Sequence, residues 1–324
     1  MTSSNLIVRQ KSLLAARELI SVPEHRVRCF NAGIIQALLD CLKHEDIQVQ
    51  KTAAENFAFL ASDAAGCNKL LEEDAVVSLL DATDNEDPGA TLACFDSLIA
   101  AAKKASIRAF FLSNHNLLTK LLEIAKDLVN PAKAASALKL LHLILEGRNN
   151  EDTVEFLLNS DAVQICTNNL KSDDVTLKHA ASTVLAFLAV SGTGKLIAVA
   201  ANAVQLLVDL ADTTNPELQY SSSSCLMALA VANAGKDAIH ALEQKKLKKV
   251  VQTLLDSRNE FIVMNTFQFM AAAAEHEQVR TTLKPFVNQL LHMKPTLPKY
   301  VSHHLAFVVR QLTFKSLPYE KLVH

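Results

Sequence analysis

Seven stretches of the chain place apolar residues on one face of a helix, and each stretch follows an Asp or Asn. The stretch after Asp174 is typical, since Leu177, Ala181, Val184 and Leu188 succeed one another at intervals of three or four residues. This spacing produces a buried stripe on an α-helix. The preceding Asp or Asn side chain can accept hydrogen bonds from the free N–H groups of the first helical turn. The pattern therefore predicts seven long helices.

These capping residues recur every 41 to 44 positions, and three of them are followed by proline, which is best tolerated at the first helical position. The caps are Asn5, Asp46, Asp87, Asn130, Asp174, Asn215 and Asn259. A period of this length over 324 residues predicts stacked helical repeats in place of one globular core. We expect a single repeat domain over residues 1–324, with repeats opening near 5, 46, 87, 130, 174, 215 and 259 and a partial repeat at 299–324.

Two shorter helices follow each long one. In the unit after Asp174, the segment Ser191-Gly192-Thr193-Gly194 interrupts the pattern, and the sequence then predicts a short helix over Lys195 to Ala201. Asn202 marks a turn before a third helix over Ala203 to Ala211. Three helices in 41 residues, with the longest at the cap, is the arrangement of an armadillo repeat.

The residue at the corner before the third helix of a repeat is a second indication of this fold. The phrase Asn31-Ala32-Gly33-Ile34-Ile35 resembles the armadillo junction, and Gly33 is expected to have a positive φ there. Asp74, Asp161 and Asn202 occupy the same register, and Asp and Asn are the residues that tolerate this conformation next best. We expect an all-α, armadillo/HEAT-like α-solenoid superhelix of about seven repeats. HEAT repeats remain an alternative for the units at 88–130 and 131–173.

Composition narrows the classes of function. The chain has 32 basic and 34 acidic residues, which argues against binding to nucleic acid or to a membrane surface through net charge. The six cysteines are scattered singly, as expected for reduced core residues of a cytosolic protein. The opening residues lack the apolar stretch of a signal peptide, and no uncharged apolar run reaches 18 residues. We expect a soluble, cytoplasmic protein.

The motifs that carry chemistry are incomplete. Gly194-Lys195 resembles the end of a phosphate-binding loop, but Ala189 stands where its first glycine belongs and Leu196 replaces the required Ser or Thr. The pair His303-His304 and the segment Glu275-His276-Glu277 lack the spacing of metal ligands. We expect no enzyme, cofactor, metal or small-molecule substrate. An active site assembled from distant repeats is a third, less favoured hypothesis.

A polar and aromatic strip along the long helices is the candidate for protein binding, on the concave face. Tyr220 and Phe261 would be its anchors. The strip comprises Gln10, Lys51, Glu55, His179, Thr183, Tyr220, Ser224, Phe261, Asn265 and His303. The alternative is an ordinary solvated face. The Trp and Asn pairs of nuclear-import receptors are absent, and the chain has no Trp.

Three other features bear on partner binding or regulation. The cluster Lys245, Lys246, Lys248 and Lys249 is either a solvated corner or a patch for an acidic partner. The run Ser221-Ser222-Ser223-Ser224 permits close helix approach, is simply exposed, or is a regulated phosphorylation site. At the two ends, apolar residues without an evident outer neighbour suggest docking on a partner; they are Leu6, Leu13, Leu14, Phe307, Val308 and Phe314.

Within the armadillo superfamily, the chain resembles the family of the radial spoke head 14 homologue. The resemblance rests on Val8-Arg9-Gln10-Lys11-Ser12-Leu13, Pro23-Glu24, Gly33, Lys51-Thr52, Gly194-Lys195, Leu226-Met227 and Gly235-Lys236. It implies a scaffold in the axoneme of motile cilia and flagella, within or near the radial spokes, whose partners are radial spoke or axonemal subunits. We expect the chain to begin without the N-terminal extension of that family. The alternative function is a soluble cytosolic adaptor that binds an extended peptide in its groove.

Overall fold

The computed structural model describes residues 5–146, 151–293 and 297–314, and its regular structure in these ranges is helical throughout. The all-α fold is therefore confirmed. Eight long helices recur along the chain: α1 (Leu6–Ser21), α4 (Ile47–Leu60), α7 (Pro88–Ala102), α10 (Pro131–Leu145), α13 (Val175–Leu188), α16 (Pro216–Ala230), α19 (Glu260–Ala273) and α22 (Lys299–Thr313). The first seven begin one residue after the seven predicted caps.

Shorter helices join the long ones, in most cases two per repeat. They are α2 (Pro23–Asn31), α3 (Ile34–Leu42), α5 (Ala64–Glu72), α6 (Ala75–Asp81), α8 (Ala105–Leu112), α9 (His115–Ala125), α11 (Glu151–Asn159), α12 (Ala162–Asn169), α14 (Gly192–Ala200), α15 (Ala203–Ala211), α17 (Asn233–His240), α18 (Gln244–Leu255), α20 (Glu277–Leu283) and α21 (Val287–Met293). Ala82–Asp84 and Lys284–Phe286 form single 3₁₀ turns.

The predicted caps are formed by side chains at six of the seven positions. The Asp174 carboxylate accepts a hydrogen bond from the backbone N–H of Leu177 at 2.7 Å, and Asp46 accepts one from Val49 at 2.9 Å. Asn130 differs, because its side-chain amide donates to Asp127 at 3.0 Å and does not cap α10. The helix still begins there, since Pro131 fixes a helical φ at its first position.

The predicted corners adopt the left-handed conformation. Gly33 has a φ of 73°, and Asp74, Asp161 and Asn202 have φ values of 52°, 59° and 63°. Each of these residues directly precedes the third helix of its repeat. The shared register was predicted correctly, and only one of the four corners uses glycine.

The Gly-Lys pair that resembles a phosphate loop has a packing role. A Cβ atom at Gly194 would lie 2.1 Å from the carbonyl oxygen of Leu188, so only glycine lets α14 pack this closely against the end of α13. Lys195 donates to the carbonyl of Val190 at 2.7 Å. Gly66 and Gly235 show the same close approach, at 1.8 and 2.0 Å, to the carbonyls of the equivalent leucines.

Arginines close the ends of several long helices. Arg26 donates to the carbonyl of Ile20 at 2.9 Å, Arg108 to that of Ala102 at 2.9 Å, and Arg280 to that of Ala274 at 3.0 Å. In each case the acceptor lies six residues earlier, at or beside the end of a long helix. Positive charge at this place is favourable because the last carbonyl groups of a helix carry partial negative charge.

The chain divides into two compact units, residues 1–160 and 161–324. In the first unit α1, α4, α7 and α10 pack in succession, and Phe57 and Phe95 are fully buried between them. In the second unit α13, α16, α19 and α22 do the same around residues such as Phe267. That the chain forms one continuous repeat domain stays a prediction.

No single helix in the described ranges is long and apolar enough to cross a membrane. By length and composition alone, α14 and α15 pass such a test as a pair, but they are bent by 83° at the break between them. Ala198 and Leu207, one from each helix, are fully buried in the core of the second unit.

Candidate protein-interaction faces

The first unit has an open groove of about 570 Å³ on the face of its first three long helices. Two of the predicted residues, Lys51 and Glu55, line it. The complete lining is Arg17 from α1; Lys51, Glu55, Ala58 and Phe59 from α4; and Gly89, Leu92, Ala93, Asp96 and Ser97 from α7. The groove exists because equivalent positions of successive long helices face the same side of the unit.

Arg17 ties α1 to α4 across one side of this groove. Its guanidinium forms an ion pair with Glu55, lies 5.9 Å from the centre of the Phe59 ring, and donates to Asn56 at 3.4 Å. Asn56 is fully buried and donates to the carbonyl of Leu13 at 3.0 Å. The charge of Glu55 is thus largely satisfied within the protein. Sequence reasoning missed Arg17 because its position differs from that of the predicted strip.

Two charged side chains in the groove differ from this pair. Lys51 is half-buried and Asp96 is exposed, and neither forms an ion pair within the residues that the structure describes. Ala58, Phe59 and Leu92 supply an apolar surface in the same groove. Asp96 and Leu92 were not predicted, although they follow Glu55 and Lys51 by 41 residues, which is the distance between the caps Asp46 and Asp87.

Gln10 lies at the predicted strip position of α1 but is used within the protein. Its side-chain amide donates to the carboxylate of Asp46 at 3.2 Å, beside the start of α4. This contact links the first two repeats and leaves Gln10 only partly accessible.

The second unit places four predicted residues on equivalent positions of α13 and α16. His179 contacts Ser221 at 3.3 Å through Nδ1, and Thr183 donates to the carbonyl of His179 at 2.8 Å. Tyr220 is 45% exposed and Ser224 is half-buried. Tyr220 is therefore accessible to a partner, and its role as an anchor stays a prediction.

The strip was misassigned on α19. Asn265 is only 6% exposed and donates to Ser223 at 3.4 Å, so it joins α19 to α16 and does not face solvent. The prediction assumed a spacing of 41 residues, whereas the caps Asn215 and Asn259 are 44 apart. Counted from the caps, Met264 and Gln268 take the places that were given to Phe261 and Asn265.

Phe261 and His303 are both exposed but differ in position. Phe261 is the second residue of α19, in its first turn, one turn away from the register of Tyr220. His303 lies on α22, 39 residues after Met264, which is also the distance between the buried residues Ile262 and Val301. His303 therefore belongs to the strip, and Phe261 lies at its edge.

The serine run is buried. Ser221, Ser222 and Ser223 are each 2% exposed or less, and their hydroxyls donate to carbonyl groups in the preceding turn of α16. Ser182 of α13 donates to Ser221 at 2.6 Å, across the two helices. The interpretation as close helix approach is correct for these three residues, and simple exposure is wrong.

Half of the lysine cluster is neutralised within the protein. Lys246 forms an ion pair with Asp209, and Lys249 donates to Asp212 at 2.5 Å, so both contact the third helix of the preceding repeat, α15, or the residue that ends it. Lys245 and Lys248 are exposed on α18 and have no such partner in the described ranges. The four lysines therefore present about half of the positive charge expected for an acidic partner.

The apolar residues assigned to the two ends fall into a buried group and an exposed group. Leu13 and Val308 are fully buried, so the expectation that they lack neighbours is wrong. They lie on the faces of α1 and α22 that pack against α4 and α19. Leu6, Leu14, Phe307 and Phe314 are exposed, and the guanidinium of Arg280 lies 5.6 Å from the Phe314 ring. Residues 315–324 of the expected partial repeat lie outside the described ranges.

Possible metal ligands and cysteine thiols are the reactive groups of the described residues that bear on catalysis. No group of three or more His, Cys, Asp or Glu side chains in these ranges could hold a metal ion. Burial raises the pKa of the Cys94 and Cys166 thiols to about 12, so both stay protonated and weakly nucleophilic at neutral pH.

Comparisons with known proteins agree with this geometry. The armadillo/beta-catenin-like repeat model matches residues 23–55. Radial spoke protein 14 of Chlamydomonas reinhardtii is 29% identical over 333 aligned positions, which cover 99% of this chain and 86% of the relative.

Solved structures give the same fold. An engineered protein has a TM-score of 0.63 at 20% identity and covers 74% of this chain and 98% of its own. A designed armadillo repeat protein in complex with the peptide (KR)4 has a TM-score of 0.60 at 18% identity and covers 73% of this chain and 98% of its own. The fold and the relative point to a non-catalytic scaffold that acts through protein interactions.

Proposed function

We propose that this chain, an armadillo-repeat protein that resembles Radial spoke protein 14, is a structural component of the radial spoke in the axoneme of cilia and flagella. The observation that carries the proposal is the alignment with that relative, which runs over 99% of this chain. Similarity of this extent covers every repeat and is not limited to one generic armadillo motif.

The surfaces of the two units support a role in binding proteins. The groove of the first unit combines charged and apolar side chains, and the second unit exposes Tyr220 on its long-helix face. Tyrosine and arginine are among the residues that contribute most to protein interfaces. We expect the partners to be other subunits of the spoke or its base.

Detergent extraction of cilia provides the test. The full chain, tagged and expressed in ciliated cells, should remain with the axoneme after the membrane and matrix are removed. Axonemes from cells that lack radial spokes are the control, and the protein should be absent from them. Recovery only in the soluble fraction, or equal retention in axonemes without spokes, would contradict the proposal.

The second candidate is a soluble adaptor that binds an extended segment of one protein and releases it. The open groove between α1, α4 and α7 favours this function, because its 570 Å³ is not filled by the protein's own side chains. Adaptor molecules bound in the cilium exchange with free molecules, whereas a structural subunit stays in place. Fluorescence recovery after photobleaching in the cilium should therefore be rapid for an adaptor and negligible for a spoke component.

A further inference from the structure

We propose that the groove of the first unit binds an extended segment of a protein partner in which an apolar residue lies between an acidic and a basic residue. The inference rests on the proposed role in protein interaction and specifies the chemistry of one partner segment. Lys51, Asp96 and the apolar surface between α4 and α7 would make the three contacts.

The four charged residues of the groove differ in whether they form an ion pair. Arg17 and Glu55 pair with each other, and the Phe59 ring beside Arg17 further stabilises its charge. Lys51 and Asp96 have no ion pair within the part of the chain that the structure describes. A partner can therefore gain charge complementarity from Lys51 and Asp96 without breaking an existing pair.

A residue of α7 without a side chain lies beside Lys51. A Cβ atom at Gly89 would lie 3.9 Å from the Lys51 amine and 3.1 Å from the Asp87 carboxylate. A longer side chain at Gly89 would extend over this amine. The absence of one leaves space for the carboxylate of a partner.

The apolar contact lies in the same groove. Phe59 is 38% exposed, and Leu92 is half-buried on the adjacent helix. Both residues line the groove and offer an apolar surface to one residue of a partner. Lys51 then receives the acidic residue of the segment, and Asp96 receives its basic residue.

The dimensions favour a short polypeptide. Packed helices lie about 10 Å apart, so α1, α4 and α7 span about 20 Å, which an extended chain of about six residues covers. A segment of this length can place an acidic, an apolar and a basic side chain on one face, since alternate side chains of an extended chain point the same way.

A peptide library tests the inference with the full-length protein. The probe is a phage-displayed library of random peptides about ten residues long. We expect the wild-type protein to enrich sequences with an acidic and a basic residue on the two sides of an apolar one. The variant Lys51→Glu should enrich sequences with a basic residue on both sides of the apolar one, because both unpaired charges of the groove are then negative.

Matched variants control for net charge and folding. Lys43→Glu makes the same charge change at an exposed lysine outside the groove, and it should enrich the wild-type sequences. Should Lys51→Glu fold poorly, Lys51→Gln serves in its place and should enrich peptides that keep the basic residue without a preference for an acidic one. In solution, the best wild-type peptide should bind Lys51→Glu at least about fivefold more weakly than it binds wild type.

Enrichment of the same sequences by wild type and Lys51→Glu would overturn the inference, as would enrichment without charged residues or no enrichment at all. The axoneme experiment is independent of this result. A protein retained in the spoke that enriches no charged peptide leaves the proposed function intact and refutes the groove inference. A protein absent from the axoneme that enriches the expected charged peptides does the reverse.

Discussion

Replacing Gly194 by alanine should destabilise the protein by about 2 kcal/mol. The added Cβ would lie 2.1 Å from the Leu188 carbonyl oxygen, whereas ordinary contacts begin at 3.4 Å. Helix α14 must therefore move away from the end of α13 by about 1 Å. Overpacking of this kind costs about 1–3 kcal/mol.

Two further effects nearly cancel. The added Cβ would also lie 3.1 Å from the Ser191 hydroxyl, which now accepts a hydrogen bond from the Gly194 N–H at 2.9 Å, and weakening this bond costs about 1 kcal/mol. Alanine is favoured over glycine inside a helix by about 1 kcal/mol. The net change therefore stays near the overpacking cost.

Gly192→Ala is the matched control. No heavy atom lies within 4 Å of a Cβ at Gly192, which begins the same helix, so this variant should stay within about 0.5 kcal/mol of wild type. Urea unfolding followed by circular dichroism measures both. Because arrays of repeats can depart from two-state unfolding, the transition midpoints are compared first.

Two other repeats have a glycine in the same close contact. Gly66→Ala and Gly235→Ala should be destabilised similarly, since their Cβ atoms would lie 1.8 and 2.0 Å from backbone carbonyls. Equal stability of Gly194→Ala and Gly192→Ala would show that the close approach of α14 to α13 is not required.

Three other predictions concern caps and thiols. Asp174→Ala should lower the free energy of unfolding by about 1 kcal/mol because it removes a helix cap. Asn130→Ala should lower it by less than about half of that, because the Asn130 side chain does not cap α10. Urea midpoints measure both changes. In the native protein a thiol reagent should modify about one cysteine per chain, namely Cys29, since the other five are buried, and Cys29→Ser should abolish the reaction on the same timescale. Burial raises the pKa of Cys166 from 9.0 to about 12. Above pH 9 this thiol therefore ionises in the unfolded chain while it stays protonated in the folded protein. The free energy of unfolding should then fall with rising pH, by up to about 1.4 kcal/mol per pH unit. Cys166→Ala should reduce this slope between pH 9 and 11, and an unchanged slope would assign the loss of stability to other groups.

The helices were predictable because their signals are local. An Asp or Asn cap acts within one helical turn, and the left-handed φ of Asp74 and Asn202 follows from the turn that these residues must make. Neither signal depends on which helices pack together. The starts of the first seven long helices could thus be placed to within one residue.

The candidate site was harder to predict because it depends on register between repeats. Asn265 was assigned to the surface by a uniform spacing, but a longer third repeat element, α18, shifts the next helix by three residues. A shift of three residues leaves a position about 60° from the intended face of the helix, so the prediction named the buried Asn265 in place of the half-buried Gln268. The pairing of Arg17 with Glu55 involves two repeats and leaves no signal in the local pattern.

Arg26, at the corner after α1, adds little to the attraction of partners from a distance. It forms an ion pair with Asp63 and donates to the Ile20 carbonyl, so its charge is neutralised at the junction of two repeats. Electrostatic steering depends on charges that reach solvent unneutralised, and it weakens as salt is added. The 32 basic and 34 acidic residues of the chain also leave a net charge of only −2. Encounter with a partner should therefore proceed at a rate that depends only weakly on ionic strength.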